Sequence, residues 1–448
     1  MAKKVPLLPI LSITFVGTLG YSIIIPFLVY LVEQYGGNAI IYGILGATYP
    51  AFQLFGAPIL GNWSDIYGRK KILFLSQAGT LVSWIIFLSA MMVPVTVFGN
   101  IDSGFLGAFA VTLPLILIFL ARAFDGLTGG NISVANAYLA DITDEQHRSK
   151  NYGKMSIASN LGFIMGPALA GALGATSLGY FLPVYAAILI SVIATILVAF
   201  YLPDANACDS QESIKRTGLR KLFNFEQKEC VESKSDRKIK FSEITKIEGI
   251  PFVLMLYFLV FLGFSIFYTA FPVHAQQTLK WSVTELGIYF SAISFIMIII
   301  QGPVLSRLSK KIDDSTLSLW GSVILGTNFV LLMFLDIKII YLAGVLFAIG
   351  NGIMWPSVLS ILSRLAGKKY QGAVQGFAGS AGSLAGIIGL TVGGILYVQL
   401  NSTTFLISAV IIYLTFILSF RLIKLEKKCV SKEEFEKQLD PNLQTANS

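Results

Sequence analysis

Charge is what this sequence has least of. Only 13% of its 448 residues are Asp, Glu, Lys or Arg, about half the ~25% typical of soluble domains. The apolar share of 55% and the mean hydropathy of +0.72 place the chain among membrane proteins rather than soluble multidomain ones. Cysteine is nearly absent: Cys208, Cys230 and Cys429 lie in basic stretches without metal-type spacing, so neither a disulfide framework nor a metal site is implied. The two histidines, His147 and His274, have no nucleophile or carboxylate constellation around them. No GxxxxGK[ST] phosphate loop is present, which argues against direct use of ATP. The expectation is a protein that is not an enzyme, with no catalytic residue, metal or cofactor.

Long apolar runs are what the chain has in their place. About 20 apolar residues cross a ~30 Å hydrocarbon core, and twelve such windows are expected: 7–32, 41–60, 73–94, 108–141, 152–175, 180–202, 250–274, 284–305, 315–335, 339–363, 371–397 and 402–423. The first is too long for a signal-peptide core. With a cytoplasmic N-terminus, 30 of the 33 basic residues fall in inside segments, against Lys280 and Lys338 outside and Arg122 within a span. The positive-inside rule therefore puts both termini in the cytoplasm. That same topology accounts for the net charge of +8, so the charge does not point to nucleic acid.

The segment 203–248 divides the spans six and six and carries ten Lys/Arg without a long apolar run. It reads as a cytoplasmic linker, with SIKRTGLRKLFNF a possible amphipathic piece on the inner leaflet. The implied organisation is a six-helix bundle over 1–202, the linker, a second bundle over 249–423 and a cytoplasmic tail over 424–448. Weak internal repeats fit this division. Gly166-Pro167-x-x-Ala170-Gly171 in span 5 parallels Gly389-Leu390-x-x-Gly393-Gly394 in span 11, and the loop from Gly61 parallels that from Gly302, with Ser306 where Asp65 would fall.

Two motifs carry a family resemblance. The loop GNWSDIYGRKK, with Gly61, Asp65, Gly68, Arg69 and Lys70, resembles the signature loop of the major facilitator superfamily; its glycines permit a tight turn and its charges can latch one bundle to the other. Span 5 shows Gly153, Gly162, Gly166, Pro167 and Gly171 in the pattern G-x8-G-x3-GP-x2-AG. This is similar to the motif of the superfamily's drug and tetracycline antiporters, with Ala170 where they usually have Gly. Small residues at this spacing let helices approach closely, and the proline bends the helix. The resemblance covers nearly all of 7–423. It implies an all-α membrane protein of twelve transmembrane helices in two six-helix bundles.

An Arg and an Asp inside span 4 are the sharpest chemical signal. A charge in hydrocarbon costs at least ~2.5–3.5 kcal/mol and is a functional hypothesis by default. Arg122 and Asp125 are one turn apart on one face and able to pair. Members of the family carry R-x-x-Q-G here; this chain reads Arg122-Ala-Phe-Asp125-Gly126. Asp125 is the one acid deep within an expected span, near the middle of a helix running from about Leu113 to Asp141. It is the candidate for proton coupling, with a permanent ion pair as the competing reading. Related antiporters also have an acid in helix 1, but its place here is Gly17.

Cavity-lining candidates taken from helix number are Tyr21, Gln53, Asn131, Asn160, Tyr268, Gln276, Gln301, Asn351, Trp355 and Gln375; each can equally serve helix packing. The expected activity is proton-coupled export of a drug-like or amphipathic compound by alternating access, powered by the proton gradient, in a monomer in the inner membrane. Uptake of an anionic or chelating solute such as a siderophore, with Arg122 as its site, is a rival on the same fold. A non-transporting receptor is a rival of another class.

Overall fold

The computed structural model of the chain describes residues 7–129, 131–143, 145–203 and 245–439. Nearly all of the 203–248 linker, with Cys208, Cys230 and the basic amphipathic piece, lies outside the described residues, as does the end of the tail.

Prolines and short polar side chains start the helices. Pro9 stands in the first turn of α1 (Leu8–Ser22) and Pro26 in that of α2 (Ile25–Gln34), where a missing N–H costs nothing. Asn38 caps α3 (Ala39–Tyr67), its side-chain oxygen accepting from the N–H groups of Ile40 and Ile41 at 3.0 Å each. Gly68 separates α3 from α4 (Arg69–Met92) at φ +100°, a backbone conformation that favours glycine.

An antiparallel hairpin follows, β1 (Val97–Ser103) and β2 (Gly107–Thr112). This corrects the expectation that span 4 begins at 108. The helix α5 (Leu113–Thr128) starts only at the Thr112 cap, whose hydroxyl accepts from the Leu115 N–H. Nor is span 4 one continuous helix. After Thr128-Gly129-Gly130, two glycines of low helix propensity, the chain resumes as α6 (Asn131–Ile142). The carbonyls freed near the break are taken up by side chains: Ser76 donates to Thr128 O, and Gln53 to Gly129 O at 2.9 Å.

α7 (Glu145–Gly174) holds the glycine motif of span 5, with Pro167 inside it, and α8 (Phe181–Ile196) ends in a π turn. Within this first bundle α1 lies against α7, α3 against α5, and α4 against α5 and α8. The second bundle comprises α9 (Ile250–Gln277), α10 (Val283–Ile299), α11 (Asp314–Leu331), α12 (Ile337–Leu400) and α13 (Thr404–Leu439). Ser282 and Glu285 cap α10 reciprocally, the arrangement that satisfies two orphan N–H groups of a first turn.

α12 turns back on itself. Trp355 packs on Tyr257 with ring centroids 4.8 Å apart, and a Cβ on Gly382 would also lie 3.1 Å from the Tyr257 ring; a straight helix would hold Trp355 and Gly382 ~40 Å apart. Ten helical stretches among the described residues are long and apolar enough to cross a membrane. The last, Val374–Lys427, covers the predicted span 402–423 and all but the first three residues of 371–397, and α11 lies on the predicted span 315–335. Residues 424–439, expected as tail, continue the final helix.

Two seams join the bundles, α3 with α12 and α7 with α10. Backbones meet there. A Cβ on Gly43 would fall 2.5 Å from the carbonyl oxygen of Leu390, one on Gly394 would fall 2.6 Å from that of Ala39, and Gly171 lies against Gly287. Only part of each glycine motif therefore reaches the seam. Gly162 and Gly166 pack on α1, and Gly389 and Gly393 on α9, inside their own bundles.

Candidate functional site

A cavity of about 380 Å³ lies between the bundles. Among the sequence-derived candidates, Tyr21, Gln53, Asn160, Tyr268, Gln301, Asn351, Trp355 and Gln375 line it; the side chain of Asn131 lies outside the described residues. Gln276 is instead at one end, where its amide donates to Glu33.

The two walls differ. The second bundle presents Tyr257, Phe261, Phe264 and Tyr268 from one face of α9, a spacing of four, three and four residues that stacks them on a single stripe. Trp355 closes against them, 4.8 Å from Tyr257 and 4.9 Å from Phe261 between centroids. Only Tyr268 of this stripe was among the candidates. The helical spacing was the available signal, masked because aromatics within a span so often face lipid or core. Across the cavity, Phe163 meets Tyr268 edge-on at 5.9 Å.

The first bundle supplies the charge. Among the described residues that line the cavity, Arg122 alone is charged, and it is 3% exposed. Its guanidinium carbon lies 4.8 Å from the ring centroid of Tyr49 and 5.8 Å from that of Tyr21, within the ~6 Å range of cation–π attraction. Gln53 donates to the Tyr49 hydroxyl at 3.0 Å, tying this cluster to the break after α5. Tyr49 was missed in the sequence, although Tyr49 and Gln53 are one turn apart.

Arg122 Nη1 donates to Asp125 Oδ2 at 3.3 Å. Asp125 is 5% exposed and does not line the central cavity. It borders a second cavity of about 10 Å³ with Ser83, Trp84, Phe87, Ala121 and Arg122. Arg122 thus stands between the carboxylate and the central space. Among the described residues, no three His, Cys, Asp or Glu side chains gather closely enough to hold a metal ion.

One end of the cavity is sealed by contacts between bundles. Tyr30 donates to Trp281 O at 2.9 Å, Tyr42 to Tyr268 O at 3.3 Å and Ser291 to Ala168 O at 3.1 Å; the Gly43–Leu390 and Gly171–Gly287 approaches lie along the same half. Toward the other end the lining continues through Thr14, Met155, Leu359, Gln375 and Gly379, on the side that bears the Arg69–Lys71 loop.

In that loop, Arg69 is held by Asp141 at 2.8 Å and Ser64 at 2.6 Å, both in its own bundle. Gly61 has open space beside it, and Gly68 provides the turn. The Asp65 side chain lies outside the described residues, and Lys70 is engaged within the protein. The second bundle has a counterpart that the sequence reading missed. Arg364 pairs with Asp314 at 2.6 Å and with Glu426, so here the acid opens a helix and the base lies within another, whereas Arg69 opens α4 and Asp141 lies near the end of α6.

Two helical bundles around one shared cavity, with small-residue seams on which they can rock, define a membrane transporter. The model of the Major Facilitator Superfamily matches residues 10–246 and 253–446, and the chain belongs to that family. It is a multi-pass integral membrane protein. It is 25% identical over 382 residues to the class D tetracycline resistance protein of Salmonella ordonez, covering 85% of this chain and 86% of the relative. It is also 25% identical over 399 residues to multidrug resistance protein 2 of Bacillus subtilis, covering 88% and 89%. Among solved structures, the human organic anion transporter MFSD10 (TETRAN) aligns with a TM-score of 0.61 at 18% identity, over 92% of this chain and 98% of that one. The D-xylose-proton symporter aligns with a TM-score of 0.67 at 14% identity, over 92% and 96%. These two likenesses concern the fold.

Proposed function

We propose that the chain exports a lipophilic or amphipathic small molecule, of the drug-like kind its tetracycline and multidrug resistance relatives are named for, in exchange for protons. The observation that carries this reading is the central cavity, aromatic on one wall and bearing a single charged side chain among its described lining residues, with a buried carboxylate directly behind that charge. Stacked rings recognise flat apolar compounds with little demand for a particular hydrogen-bond pattern. Asp125 is the group that gains and loses the proton, and Arg122 is its partner on the cavity side. Gly61, Asp65, Gly68, Arg69 and Lys70 act as the conformational latch, Gly153, Gly162, Gly166, Pro167 and Gly171 as the packing surface of α7. With both termini cytoplasmic, the conformation described here is sealed on the outer side.

Everted membrane vesicles test this reading. An imposed pH gradient, acid inside, should drive uptake of tetracycline, ethidium or rhodamine 6G, and a protonophore should abolish it; no gradient-dependent uptake of any of them would refute proton-coupled export. A second reading, uptake of an anionic solute, is favoured by one observation: the only charge on the described cavity wall is positive. Under that reading carboxylate probes, not cationic ones, compete for the site.

A further inference from the structure

Asp125 is cut off from the substrate by Arg122, so its proton needs a way in that the central cavity does not provide. The second cavity borders the carboxylate directly. It is bordered by Ser83, Trp84 and Phe87 of α4 and by Ala121, Arg122 and Asp125 of α5, and its volume of about 10 Å³ is the room of one water molecule, ~10–15 Å³. Two of its lining side chains, Trp84 and Arg122, are each 3% exposed, and each keeps a buried nitrogen, Trp84 Nε1 and Arg122 Nε, without a partner among the described residues. Both groups are donors only. Buried donors are almost always satisfied, by water where the protein offers nothing. A water seated in this cavity would accept from both nitrogens and donate to the Asp125 carboxylate.

The polar character continues along α4. Thr80 lies one turn before Trp84 and Gln77 one turn before Thr80, on the same face and in the direction of the Arg69–Lys71 loop. Gln77 is fully buried, and neither its amide oxygen nor its amide nitrogen has a partner among the described residues. An amide so placed is costly in an apolar helix unless water reaches it. The charged and titratable groups around Asp125 are Arg122 on its own helix and, beyond the guanidinium, Tyr49 of α3 and Tyr21 of α1; α4 presents only Thr80, Ser83 and Trp84, none of which titrates near neutrality.

We propose that Asp125 exchanges its proton with a water held by Trp84 and Arg122, connected through Thr80 and Gln77 along α4, so that proton and substrate travel by separate routes. Protonated Asp125 donates to this water in place of one of the two nitrogens, the water takes that proton and releases another along the α4 face, and the carboxylate left behind returns to Arg122. Trp84 and Gln77 are positioning residues in this scheme. It rests on the proton-coupled reading above.

The test compares Trp84→Phe and Gln77→Leu with the wild type in proteoliposomes, using whichever of tetracycline, ethidium and rhodamine 6G the wild type moves fastest. Two rates are read: flux driven by a pH gradient, and exchange of labelled for unlabelled probe at equal pH, which needs no proton release. Both variants should lose gradient-driven flux about tenfold, the size of effect typical of a positioned proton donor or acceptor, while exchange stays within about twofold. Gln77→Asn, which keeps the amide, should retain most of the gradient-driven rate. Gln77→Leu removes an unpaired buried amide, so its thermal stability should not fall, which guards against a folding artefact. Gradient-driven flux unchanged in both variants overturns the proposal, as does exchange falling in parallel with it. A wild type that exchanges probe but ignores the gradient overturns the proton-coupled reading itself.

Discussion

The ring of Tyr49 lies 4.8 Å from the guanidinium carbon of Arg122. This contact directs the cavity's one described charge, and Gln53 also holds the Tyr49 hydroxyl from the adjacent turn. Tyr49→Leu removes the ring and Tyr49→Phe only the hydroxyl. A cation–π contact of ~0.5–2 kcal/mol predicts that Leu weakens probe binding by about two- to thirtyfold, with Phe close to wild type. Titration of the purified protein in detergent with a fluorescent probe measures both; equal loss in the two variants would place the effect in the hydroxyl instead.

Trp355 is the centre of the aromatic wall, against Tyr257 and Phe261. Its replacement by Ala removes a stacking surface that, on the proposed function, substrate meets before and during transport alike. The expected signature is a KM raised about tenfold with kcat little changed, as for loss of uniform binding. Concentration-dependent transport rates test it. A fall in kcat at constant KM would mean that Trp355 serves the conformational change.

Gly43 leaves no room for a side chain, since its Cβ would fall 2.5 Å from Leu390 O. Gly43→Leu should therefore prevent the sealed end from closing and shift the population toward the conformation open on that side. With Ser265→Cys as reporter on the cavity wall, a membrane-impermeant maleimide added from outside should label Gly43→Leu severalfold faster than Gly43. Equal labelling rates would show that the seam tolerates the bulk.

Arg364 balances two carboxylates, Asp314 and Glu426, the latter only 7% exposed. Arg364→Ala leaves them facing each other. Because the arginine itself is 45% exposed, the expected cost is well below that of a fully buried pair, about 1–2 kcal/mol. The sign with pH follows from Asp314: burial pushes its carboxyl above the usual carboxylate range, so its protonation relieves the repulsion as pH falls and the deficit should be larger at pH 8 than at pH 5. Thermal unfolding in detergent at the two pH values measures it.

The sequence made the membrane class and the two-bundle plan legible because hydrocarbon imposes long apolar runs, and the family legible through the resemblance carried by the Gly61–Lys70 loop and the glycine pattern of span 5. Much of the cavity wall was also legible, since an amide or tyrosine in a span is exceptional enough to notice. What the sequence hid was relational. Arg122 and Asp125 read as one unit, yet only Arg122 reaches the cavity, a distinction set by the packing of α3 and α4 around α5. The break after Thr128 was visible as paired glycines but lay inside an apolar window, and the hairpin of β1 and β2 was partly absorbed into that window. Arg364 with Asp314 and Glu426 could not be seen at all, because its members come from three segments far apart in the chain.

The central claim is that Asp125 carries the coupled proton, and its most direct test is substrate-driven proton movement in proteoliposomes with pyranine trapped in the lumen. Asp125→Asn keeps the shape and hydrogen-bonding reach of the side chain but cannot ionise. Proton movement on adding probe should vanish in the variant while probe exchange at equal pH persists. Proton movement undiminished in Asp125→Asn would contradict the account and reduce the Arg122–Asp125 pair to a structural one.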